Sequence, residues 1–99
     1  MKVYISGPMT GYPDFNYPAF HAAEQHLADL GHEPLNPARH PKQETWADYL
    51  RLDLVDVLAA DAVAVLPGWE CSRGAVLEVH VAHALGMAVL PIERWGAAS

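Results

Sequence analysis

Four short runs of β-branched, aromatic or apolar residues, separated by stretches of helical period, leave this chain few folds. Val3-Tyr4-Ile5 is closed by Gly7-Pro8, and Glu33-Pro34-Leu35-Asn36 follows a glycine suited to ending a helix. Ala62 to Leu66 is apolar throughout, as a strand covered on both faces must be. Ala88-Val89-Leu90-Pro91-Ile92 is the fourth run. After the first, Phe20, Ala23, Leu27 and Leu30 recur at helical spacing, with Asn16 as cap, Pro18 in the first turn and Gly31 as stop. Thr45 and Asp48 make a capping box for a second helix reaching about residue 60. Ser72 caps a third, which ends at Gly86.

Strands alternating with helices predict a small three-layer α/β domain of Rossmann or flavodoxin-like type, with a parallel sheet and right-handed crossovers. Proline orders the sheet. It cannot donate to a ladder, so the strands carrying Pro34 and Pro91 belong at the edges, giving the order 2-1-3-4. The chain then reverses direction between strands one and three, where ligands of open α/β sheets bind beyond the strand C-termini. The site is expected between Ser6-Gly7-Pro8 and Pro67-Gly68-Trp69.

Ninety-nine residues, 52% hydrophobic and 18% charged, make one folded domain over 1–99. A net charge of −6 with no basic run argues against a nucleic-acid polymer or an anionic membrane as partner. A single small nucleotide stays open, because backbone amides alone can hold one phosphate. The lone Cys71 excludes an intrachain disulfide and a Cys-based zinc site. With no leader-like N-terminus and no apolar run near ~20 residues, the expected location is cytoplasmic. A core this size buries only roughly 60–70% of the unfolded surface, so a homo-oligomer is expected.

On the third helix Arg73, His80 and His83 share one face, whereas Glu78 lies opposite among Gly74, Val81, Ala82 and Leu85. A carboxylate in an apolar stripe is costly, and such acids concentrate at functional sites. Asp53 repeats the anomaly between Trp46, Tyr49, Val57 and Ala60; an edge acid paired with Arg51 or Arg94 is the plainer alternative. Ser72 reads as a cap or as part of an anion site at a helix N-terminus. Trp69, Tyr12 and Asp14 are loop residues able to meet a ligand. His80 with His83 lacks a third metal ligand, and Cys71 as nucleophile has little support, so no metal is expected. Ser6 to Gly11 matches no phosphate-loop fingerprint, yet its amides can face a phosphate.

The runs Val3-Tyr4-Ile5-Ser6-Gly7-Pro8, Trp46…Tyr49-Leu50…Asp53 and Pro67-Gly68-Trp69…Ser72-Arg73-Gly74-Ala75…Glu78…Ala82…Leu85-Gly86 resemble the nucleoside 2-deoxyribosyltransferase-like superfamily, in a small branch found in phage and bacterial genomes. The resemblance implies that Glu78 is the nucleophile attacking C1′ and that Asp53 handles protons or positions hydroxyls. It also implies that Ser72, where transferases carry an acid and the related 2′-deoxynucleoside 5′-monophosphate N-hydrolases a serine, binds phosphate. Larger relatives add a strand or tail that completes a neighbour's site, so an oligomer is expected to supply what the short tail here lacks.

The expected function is cleavage or transfer of the N-glycosidic bond of a (deoxy)nucleotide or nucleoside through a covalent glycosyl-enzyme, with no cofactor. Tyr4 or Tyr12 would keep Glu78 ionised, and Ser6, Gly7, Pro8, Gly11, Gly68, Trp69, Ser72 and Gly74 would line the substrate. The alternative is a non-catalytic nucleotide-binding module using the same crevice.

Overall fold

The computed structural model describes residues 1–96. Its strands are β1 (Lys2–Ser6), β2 (Glu33–Leu35), β3 (Ala62–Val65) and β4 (Ala88–Pro91). Its α-helices are α1 (Tyr17–Asp29), α2 (Trp46–Ala59) and α3 (Arg73–Ala84). All strand pairs are parallel, and the order is β2-β1-β3-β4, with Pro34 and Pro91 on the edges. The sheet is therefore the one that the prolines dictate.

The period of two along each central strand separates two cores. Val3 and Ile5 of β1 join Ala62 and Ala64 of β3 against Phe20 and Leu27 of α1 and Trp95. Tyr4 of β1 faces the other way and joins Val63 and Val65 against Val57 of α2 and Val79 and Ala82 of α3. The small Ala62 and Ala64 thus meet bulky rings on one side, while valines fill the other.

Two caps form as the sequence requires: the Asp48 amide donates to Thr45 Oγ1 at 3.1 Å, and the Ala75 amide to Ser72 Oγ at 3.3 Å. Asn16 does not cap α1. Asp14, Phe15 and Asn16 all take left-handed φ, and the Asn16 side-chain amide instead donates to the Pro8 carbonyl at 2.9 Å, tying the loop to the end of β1. Asn36 leaves β2 for a short 3-10 turn, where its buried side chain accepts from the Ala38 amide at 2.9 Å. Among the described residues, no helix is long and apolar enough to cross a membrane.

Candidate active site

Beyond the C-terminal end of β1, a cavity of about 720 Å³ opens between the loop after β1 and the N-terminal halves of α2 and α3. Gly7 is what lets β1 and β3 end so close together. A Cβ there would stand 2.7 Å from Leu66 Cβ, and the Leu66 amide donates to the Ser6 carbonyl at 2.8 Å.

At the cavity floor Glu78, only 4% exposed, accepts a 2.7 Å hydrogen bond from the Ser6 hydroxyl. Burial and the neighbouring Asp53 carboxylate raise the Glu78 pKa to about 8, against the opposing pull of the Ser6 and Tyr4 hydroxyls. Burial also raises Asp53, partly offset by Glu78 and His40. Asp53 thus disfavours the charged form of Glu78, which couples the two carboxyls. Tyr4 is wholly buried; its hydroxyl meets no partner at hydrogen-bond geometry, and burial followed by the Glu78 and Asp53 carboxylates pushes its pKa well up.

Asp53 is held neither by Arg51 nor by Arg94. Arg51 reaches Asp48 at 3.7 Å on the surface, and His40 stands against Asp53 instead, with Nδ1 3.0 Å from Asp53 Oδ1. The other ring nitrogen lies 2.7 Å from Asp56 Oδ2. His40 comes from the loop before α2, fixed by its own amide on the Pro37 carbonyl at 3.1 Å and by Arg39 on Glu24. Nothing periodic in the sequence marks such a loop residue. Its only signal is a histidine shortly before a helix bearing an ill-placed acid.

Tyr4, Gly7, Pro8, Tyr12, Asp53, Ser72, Gly74 and Glu78 all line the cavity, and Ser6 reaches it through Glu78. Gly68, Trp69 and Gly11 do not line it. Gly68, at φ 87°, turns the chain so that Trp69 packs against the core under α2 and α3, and both line a separate hollow of about 320 Å³ with Pro91 and Glu93. Gly11 lies exposed, outside the wall. The tryptophan that does border the cavity is Trp46, lying over Gly74 and stacked by the Arg73 guanidinium 4.2 Å from its ring centre. Arg73 is the one Lys or Arg among the lining residues. His80 and His83 are exposed, and among the described residues no group of three or more His, Cys, Asp or Glu converges to hold a metal.

The four-stranded parallel α/β fold is shared with 2-deoxyribosyltransferases of known structure. The chain superposes on the 2-deoxyribosyltransferase of Bacillus psychrosaccharolyticus with a TM-score of 0.70 at 22% identity, over 91% of this chain and 71% of that one. It matches the 2-desoxiribosyltransferase from Leishmania mexicana with a TM-score of 0.73 at 20% identity, over 99% and 73%. A conserved protein from Enterococcus faecalis V583 matches at 0.66 and 26% identity, over 90% of this chain and 60% of that one. No curated protein matches by sequence. The family described as Domain of unknown function (DUF4406) matches residues 1–91, and the chain belongs to that family.

Proposed function

We propose that the protein breaks the N-glycosidic bond of a (deoxy)nucleotide, passing the sugar to water or to a second base. The observation that carries this reading is the buried Glu78 beside the half-buried Asp53 at the cavity, with the Ser6 hydroxyl on Glu78 and the buried Tyr4 hydroxyl beside them. One negative charge shared by two carboxyls gives the reaction both groups it needs. With the proton on Asp53, Glu78 is the free nucleophile.

Glu78 closes a C–O bond on C1′ as the C1′–N bond breaks through an oxocarbenium-like transition state. The bonding pair leaves with the base nitrogen, which takes the Asp53 proton. A water or an acceptor base then attacks C1′, the ester electrons return to Glu78, and the incoming group's proton goes to Asp53. Two displacements at one carbon give retention. Trp46 offers a face to the base, while Ser72, Arg73 and the free amides opening α3 favour a 5′-phosphate. Cytoplasmic action on a small nucleotide, by a homo-oligomer, completes the reading.

The test is chromatographic detection of free base from nucleoside 5′-monophosphates and their 2′-deoxy forms, with wild type and Glu78→Gln, with and without an acceptor base. Release by the wild type alone is expected. A nucleotide bound but left intact by the wild type would instead make the crevice a binding module.

A further inference from the structure

Behind Asp53, outside the cavity wall, stands a second carboxylate with an imidazole wedged between the two. The Asp53, His40 and Asp56 side chains are 19%, 15% and 30% exposed, so solvent reaches the Asp56 end most freely. Asp56 and Asp53, both on α2, are the groups ion-paired with the ring among the described residues.

The proton inventory of this row is constrained. With Asp56 Oδ2 as the acceptor, the 2.7 Å contact places a hydrogen on His40 Nε2. Nδ1 then faces Asp53 Oδ1 at 3.0 Å, off the line of an ideal hydrogen bond. A bare ring nitrogen and a bare carboxylate oxygen at that distance, so little hydrated, repel. A proton on Asp53, shared with the neutral ring's Nδ1, relieves this, and it is the proton that the Glu78–Asp53 pair holds.

We propose that Asp56 and His40 are positioning residues that dedicate Nδ1 to Asp53, so that the His40–Asp53 contact stores the proton used in each half of the reaction. The proposal rests on the glycosidase reading above. In the first half the stored proton leaves on the base nitrogen as C1′–N breaks and Glu78–C1′ forms. Asp53 is then an anion facing a bare nitrogen, an arrangement relieved by taking a proton. It takes one from the attacking water or acceptor N–H as the Glu78 ester opens, and the row is restored with atoms and charge balanced. Asp56 holds the ring in one tautomer throughout, as an orienting carboxylate does for a catalytic histidine.

Two measurements test this. In the folded wild type, ¹⁵N resonances of the His40 ring should show Nε2 protonated, and Asp56→Asn should lose that fixed state; a bare Nε2 in the wild type overturns the proposal whatever the variants do. In base-release assays, Asp56→Asn and His40→Gln should slow release from ordinary nucleotides about tenfold to a hundredfold. Formation of the sugar–enzyme from 4-nitrophenyl 2-deoxyribose 5-phosphate, whose leaving group departs without a proton, should stay within about twofold, and Asp56→Glu should recover nucleotide cleavage. Equal losses on both substrates would mean a merely structural role and overturn the proposal. Glu78-dependent release that neither variant slows removes this proposal alone, whereas a wild type that releases no base removes the reaction and this proposal with it.

Discussion

Glu78 is the residue at which sequence and structure agree most closely, for a physical reason. An acid on an apolar helix stripe is visible from helical period alone, and burial follows from that period. Its cost gives a sign. With the folded pKa at about 8 against an ordinary 4.5, the folded state binds the extra proton. Stability is therefore full below pH ~4.5 and falls as the pH rises through about 8. Glu78→Gln should remove this slope and leave the protein more stable than wild type above neutrality, by on the order of a few kcal/mol; denaturant midpoints measured from pH 5 to 9 check it. Parallel curves for the two proteins would contradict the burial of an ionisable pair. Tyr4→Phe should leave stability unchanged or raise it by about 1 kcal/mol, since the hydroxyl removed has no partner, while base release falls. His40 and Ser6 could not be singled out as partners in advance. Both contacts join residues distant in the chain, and side-chain pairing across a fold leaves no periodic trace.

At the scale of elements, caps and turns were legible where a local hydrogen bond decides them and illegible where tertiary contact does. Thr45 and Ser72 cap because their acceptors lie three residues from the amides they serve. Ser72→Ala should cost about 1 kcal/mol of stability and also weaken nucleotide affinity; thermal melts with and without ligand separate the two effects. Asn16 has the same chemistry but spends its amide on Pro8, a choice made by the path of the loop over the cavity. Trp69 was expected at the ligand, yet the turn at Gly68 lays it against the core at a separate hollow, and Trp46 of α2 takes the cavity edge. Gly7 joins strand ends to site. Gly7→Ala drives a methyl into Leu66 Cβ, so it should destabilise by about 1–3 kcal/mol and impair the cavity, measured by melting temperature and base release.

The whole molecule follows from where two prolines are tolerated. Pro34 and Pro91 send their strands to the edges, β1 and β3 take the centre, and the crevice opens at the reversal beside β1. The cavity sits nearer α2 than strand order alone suggests, because the residues walling it come from the loop after β1 and from helix faces rather than from the turn after β3. On the outer side of α2, Val55 and Leu58 are 63% and 64% exposed, and Val76 and Leu77 of α3 are also exposed. A second copy of the chain is the occupant expected there, the small core being the reason. Sedimentation should give a mass above that of the 10.8 kDa chain, and Leu58→Glu should return it to the monomer value. A wild-type monomer at all concentrations would contradict this. The central claim is that Glu78 bonds to the sugar. Intact-protein and peptide mass spectrometry on enzyme quenched during turnover of a 2′-deoxynucleotide tests it most directly. The account predicts a 2-deoxyribose 5-phosphate adduct on the peptide containing Glu78, absent in Glu78→Gln; base release with no adduct, or with the adduct on another residue, would contradict it.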